Sequence, residues 1–203
     1  MILLTGFEPF ASSDFNPSIV IARHAAKILR EQGHEAVAAE LPCVFAQAPR
    51  LLHELITLHR PQVVLSLGLA QGREKLSMEK VGINLIDARI ADNAGARPID
   101  VPVLTDGPAA YFSTLPLKAA LQELGSEHVE ISYSAGTYVC NQVFYSLMHQ
   151  SRTDPEIRAG FIHVPWVAAH DAQLLVHAQA VAQIAVLALA GANEPQLSAG
   201  KED

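Results

Sequence analysis

Cys140 sits where a thiol could be made reactive. The run Tyr133-Ser134-Ala135-Gly136-Thr137-Tyr138-Val139-Cys140-Asn141 leaves an expected strand, turns through small residues, and enters an apolar-periodic helix at about Cys140. A cysteine at a helix N-terminus meets the positive end of the macrodipole and free backbone N–H groups, and both favour S⁻. Further along, Gly160-Phe161-Ile162-His163-Val164-Pro165 reads as a buried strand that ends in a histidine. A lone cysteine with a histidine delivered from another strand end is the pattern of a cysteine hydrolase. Each residue also has a plainer account: a buried cysteine serves as a small hydrophobe, and a core histidine can be satisfied by a carbonyl. Glu79, in Ser77-Met78-Glu79-Lys80-Val81, lies among residues that look half buried. An exposed acid paired with Lys80 fits it equally well, and nothing in its local spacing selects it over other acids.

Other candidate chemistries fail on spacing. His53-Glu54 with His59 is not HExxH, because position 57 is threonine and the histidines fall on different helix faces. Gly68 to Gly72 lacks the GxGxxG spacing and runs into Arg73 and Glu74, which argues against a dinucleotide site or P-loop. No GxSxG elbow occurs. Cys43, in Leu41-Pro42-Cys43-Val44-Phe45, reads as packing.

These residues must be carried by a scaffold, and the periodicities supply one. Strands are expected at Met1–Leu4, Glu35–Leu41, Gln62–Leu69, Val129–Ser134 and Ala159–Val164, with extended structure somewhere in Leu76–Ile90. Helices are expected from Asn16-Pro17 to Gly33, and at Ala46–His59, Pro116–Leu124, Asn141–Gln150 and Ala172–Leu189. Asn16 is the N-cap of the first, with proline in its first turn and Gly33 as terminator. Ala91–Thr114, rich in Pro, Gly, Asp and Asn, reads as a long irregular excursion, and such loops are often functional. Alternating strands and helices predict a single three-layer α/β/α domain with a mostly parallel, twisted sheet over residues 1–203, with a polar tail from about 191. Catalytic groups in such sheets lie beyond strand carboxyl ends, where Cys140 and His163 are expected.

The composition narrows the partners. Half of the 203 residues are hydrophobic and 17% are charged, a balance far from that of disordered chains. A formal net charge of -7 argues against nonspecific nucleic-acid binding and against docking on anionic membranes. Met1-Ile2-Leu3-Leu4-Thr5-Gly6 has no basic region ahead of it and is interrupted by Gly6 and Glu8, so it does not read as a signal peptide. The apolar stretch from Ala180 to Ala190 is too short to span a bilayer. Two cysteines without CxxC spacing give no disulfide scaffold. A cytoplasmic protein is the expectation.

Four segments in register resemble one family, the pyroglutamyl peptidases, also called pyrrolidone-carboxylate peptidases, of the cysteine class. They are Thr5-Gly6-Phe7-Glu8-Pro9-Phe10; Met78-Glu79 through Asn84 to Asp87-Ala88-Arg89-Ile90-Ala91-Asp92-Asn93; Ser134 to Asn141; and Gly160 to Pro165. The resemblance implies Cys140 as nucleophile, His163 as its base and Glu79 as the third member. It implies Arg89 as support for the oxyanion and the site. Phe7, Phe10, Tyr138, Val139 and Ile90 are implied as the walls that hold the pyroglutamyl ring. It further implies an α/β/α fold, no metal or organic cofactor, peptides with N-terminal pyroglutamate as partners, and a homo-oligomer, often a tetramer. Ala11-Ser12-Ser13 departs from the glycines common in that loop, and the segment after Trp166 is shorter than in several relatives. A different thiol amidase and a non-catalytic α/β binding module are the competing expectations.

Overall fold

The computed structural model describes residues 1–11 and 13–200. Ser12 and the last three residues of the expected tail lie outside the described residues. At the middle of the fold are β1 (Ile2–Phe7) and β3 (Val63–Leu69), in which every residue is buried. Such continuous apolar runs are stable only where helices cover both sheet faces. β1 outruns the expected Met1–Leu4 because its polar residues find partners inside. Thr5 Oγ1 donates to Ser66 Oγ at 2.9 Å, strand to strand. Gly6 admits the backbone of α1 (Pro17–Glu31): a Cβ there would overlap Ile19 Cα.

With β2 (Ala36–Leu41), β4 (Leu76–Glu79), β7 (Val129–Ser132) and β8 (Arg158–Val164), the six-stranded sheet runs in the order β2-β1-β3-β8-β4-β7. Four of its pairings are parallel, and β4 meets β8 antiparallel, with Ser77 opposite His163 and Met78 opposite Ile162. The sheet is thus mostly parallel, as expected, but its last two strands are reversed. The Leu76–Ile90 stretch resolves into β4, then β5 (Val81–Ile83), which pairs with β6 (Ala110–Phe112) in a separate ribbon. The expected irregular excursion therefore contains a strand, and Ile86 bridges Val101 within it.

α1, α3 (Leu117–Leu124) and α5 (Gln173–Leu189) pack on one face, against Ile2, Leu4, Leu65 and Ile162. α2 (Ala48–His59) and α4 (Val139–Ser151) pack on the other, against Leu3, Val64, Ala159 and Phe161. Asn16 caps α1 as expected, its Oδ1 accepting from Ser18 N at 3.1 Å. The tail is not idle. Glu194 Oε2 accepts from the backbone N of Lys118 and Ala119, so it caps the start of α3. No helix among the described residues is long and apolar enough to cross a membrane.

Candidate active site

Three segments of distant sequence are tied together to place the thiol. Cys140 is the second residue of α4, whose first turn lacks a side-chain cap. The loop before it is pinned to the 87 region: Thr137 Oγ1 donates to Asp87 O at 2.8 Å, and Asp87 N donates to Thr137 O at 3.0 Å. Immediately after it, the fully buried Asn141 donates to Ile83 O and Leu85 O and accepts from Ile83 N, each at 2.9 Å. Beneath it lies Gly68, the β3 residue in register with His163. A Cβ on Gly68 would come within 2.8 Å of both Cys140 Sγ and Phe161 Cζ. The missing side chain is the room the thiol occupies.

His163 and Glu79 meet across the antiparallel pair. Their side chains share the α4 face of the sheet as diagonal neighbours, a spacing long side chains bridge. His163 Nδ1 lies 2.7 Å from Glu79 Oε1, with both side chains buried. Because Oε1 accepts, Nδ1 carries the proton and Nε2 is left as the basic nitrogen. The reversal of β4 is what makes this possible: Glu79, at the end of its own strand, lands beside the C-terminal end of β8. The same oxygen takes a second partner, Arg73 Nη2, at 3.2 Å.

The thiol's electrostatics run against the sequence expectation. Burial pushes the Cys140 thiol well above its ordinary range, and the charges of Cys43 and Glu79 push it the same way. Only a hydrogen bond from its own backbone lowers it. The helix start is present, but desolvation outweighs it. Cys43 behaves as the expected packing residue; burial, first among several causes, pushes its thiol up to about 12.

An aromatic wall adjoins the thiol. Phe7, Cys43, Phe45, Ala88 and Val139 form one buried cluster, with Phe10, Tyr138 and Cys140 packed against it. Tyr138 links the wall: its ring centroid lies 5.1 Å from Phe45, edge-on, and 6.5 Å from Phe10. Phe7 is almost wholly buried, 6.5 Å from Phe161, and presents less surface than the half-buried Phe10. Arg89 and Ile90 are exposed, and the Arg89 side chain makes no hydrogen bond or ion pair among the described residues. Ala11 has φ +56°, the left-handed region where glycine is unstrained. Ala11 therefore stands in a conformation that glycine adopts without strain.

Sequence reasoning passed over several residues that build this site. Glu8 Oε1 accepts from Cys43 N and Asn93 Nδ2, tying the first loop to two others. Buried Asp92 accepts from Phe45, Ala94 and Ala96 amides. Arg73 and Gly68 were visible only as reasons to dismiss a nucleotide site. A cleft of about 1080 Å³ lies outside the trio, lined by Arg73, Trp166, Val167, His177 and Ala180 among others, at the segment expected to be short.

The family model described as pyroglutamyl peptidase matches residues 1–191. The chain belongs to the pyroglutamyl peptidase family. Among the similar proteins of this family, the pyrrolidone-carboxylate peptidase of Cupriavidus necator is 48% identical over 170 residues, covering 82% of this chain and 78% of that one. That of Streptomyces coelicolor is 49% identical over 172 residues, covering 81% and 77%. Among solved family structures, the pyroglutamyl peptidase I of Bacillus amyloliquefaciens superposes with a TM-score of 0.86 at 36% identity, covering 96% of this chain and 98% of that one. The pyrrolidone carboxyl peptidase of Thermococcus litoralis gives a TM-score of 0.82 at 32% identity, covering 95% and 96%.

Proposed function

We propose that this chain removes N-terminal pyroglutamate from peptides, with Cys140 as nucleophile, His163 as base and Glu79 as the acid that orients it. The observation that carries the reading is the buried 2.7 Å contact of His163 Nδ1 with Glu79 Oε1, beside a thiol seated over Gly68. Burial shifts the Cys140 thiol upward, and in the proposed cycle its proton leaves as attack begins. Sγ bonds to the pyroglutamyl carbonyl carbon while His163 Nε2 takes the thiol proton. First-turn amides of α4, which lack a side-chain cap among the described residues, supply donors for the developing oxyanion, with exposed Arg89 as a further cation by family resemblance. One such donor is typically worth ~3–4 kcal/mol. His163 then gives its proton to the amine as the C–N bond breaks, leaving a thioester. Water, activated by the same imidazole, hydrolyses it and frees pyroglutamate.

Pyroglutamate is a neutral lactam, so its pocket needs apolar walls and a few backbone partners rather than an acid for an ammonium. Phe10, Tyr138 and Val139 supply such walls, with Phe7 behind them and Ile90 at the edge. We assign the enzyme to the cytoplasm and to a homotetramer, the latter by family resemblance. Exposed Trp166, Leu175 and Val176 support an assembly. Turnover of a pyroglutamyl-amide reporter tests the activity. Cys140→Ala should abolish it without loss of fold, and Cys43→Ala should retain most of it. Substantial turnover by folded Cys140→Ala sinks the mechanism, and an inactive Cys43→Ala means the other thiol reacts.

A further inference from the structure

We propose that Arg73 is a positioning residue of the reaction: it compensates the buried charge of Glu79 so that the carboxylate stays an acceptor for His163. The inference rests on the peptidase reading above and extends it to a residue outside the trio. Glu79 is fully buried, and its Oε2 has no hydrogen-bond partner among the described residues. All of its polar contact passes through Oε1, to His163 Nδ1 at 2.7 Å and to Arg73 Nη2 at 3.2 Å. An ionised carboxylate is costly to bury unless a charge answers it. At the start of the cycle His163 is the neutral base, so the hydrogen bond it donates does not answer that charge. Among the described residues the only permanent cation paired with Glu79 is Arg73.

Arg73 is itself held. The same Nη2 donates to Ser134 O at 3.1 Å, in the loop that leads to Cys140, and Nη1 lies 3.8 Å from Glu130 Oε1. Glu130 Oε1 in turn accepts from Ser77 Oγ at 2.7 Å, and Ser77 is the residue opposite His163. The guanidinium side chain is 25% exposed, so it reaches the acid from the rim of the site. A planar fork with several donors suits this double task, which a single ammonium performs less well. When His163 becomes the imidazolium, Arg73 also tempers the Glu79–His163 attraction, so the proton can pass on to the departing amine.

A double-mutant cycle with a pyroglutamyl-amide reporter tests this in the intact enzyme. Arg73→Gln should lower kcat about tenfold or more while KM changes little, because the lost interaction is made to the base rather than to substrate. Arg73→Lys should recover part of that loss. In a Glu79→Gln background, Arg73→Gln should cost less than about twofold further, since the charge it answers is gone. Proton NMR of the inactive Cys140→Ala variant adds a readout independent of turnover. The downfield His163 Nδ1 proton should be moved or lost when Arg73→Gln is added. Failure of the unmutated enzyme to cleave the reporter would count against the peptidase reading, while the NMR result would still decide the role of Arg73. An unchanged kcat in Arg73→Gln, fully additive losses in the cycle, or an unmoved Nδ1 proton would overturn the proposal and leave Arg73 as a brace for the Ser134 loop.

Discussion

Gly68 lies directly beneath Cys140, so close that a single added carbon would stand 2.8 Å from Sγ. The contact is with a side chain held at the start of a helix, so relief requires the thiol to move. Gly68→Ala should therefore lower kcat by about ten- to a hundredfold, since displacement near 1 Å is enough to spoil attack. Crowding of Phe161 should cost about 1–3 kcal/mol of stability as well. Steady-state kinetics with thermal melting checks both, and an unchanged kcat would mean that the reacting thiol does not sit over this strand.

Alkylation of the free enzyme should report a thiol rather than a thiolate. Burial raises the Cys140 thiol, followed by the charges of Cys43 and Glu79. A raised value means the protonated form dominates at neutral pH, so the reactive fraction grows as pH rises. The iodoacetamide rate in a Cys43→Ala background should climb about tenfold per pH unit from pH 7 upward. A rate already at its plateau near pH 6 would show that the helix start prevails over burial.

Asn141 should matter to stability more than to chemistry. Its amide satisfies Ile83 N, Ile83 O and Leu85 O at full burial, holding the start of α4 against the segment that leads to the site. Asn141→Leu keeps the volume but orphans these groups, which should cost about 2–4 kcal/mol. Urea unfolding measures it; a loss under about 0.5 kcal/mol would show that water replaces the amide.

Specificity should turn on the lactam carbonyl. Proline is nearly the same size as pyroglutamate but lacks that group and carries a charged ammonium. It leaves the polar partners unpaired and brings a charge into an aromatic setting. The enzyme should cleave pyroglutamyl amides about a thousandfold or more faster than prolyl amides, judged by kcat/KM. Phe10→Ala should raise KM about fivefold without creating prolyl activity. Comparable kcat/KM for the two substrates would point to a general thiol amidase.

What could be read in the chain divides along the range of the signal. The buried runs of β1 and β3, the Asn16 cap and the small-residue turn before Cys140 are local patterns, and local periodicity reports them well. The reversal of β4 left no such trace: four residues, Leu76–Glu79, read the same in either direction. Glu79 accordingly could not be chosen from its own surroundings, and only family resemblance singled it out. Arg73 has no role legible in its own surroundings, because its partners, Glu79, Glu130 and Ser134, come from elsewhere in the chain. The upward shift of the Cys140 thiol has no local signature for a related reason. Helix starts are visible in sequence, but the depth to which a residue is desolvated is set by tertiary packing.

The antiparallel seam between β4 and β8 makes the proposed site sensitive to strand register. Side chains in a strand alternate between faces, so slipping β4 by one residue would turn Glu79 away from His163 and towards the side covered by α1 and α5. A chain with its helices formed and its thiol in place, but with this seam open or misregistered, has no oriented imidazole. On the proposed mechanism, cleavage therefore depends on the sheet being complete out to this seam.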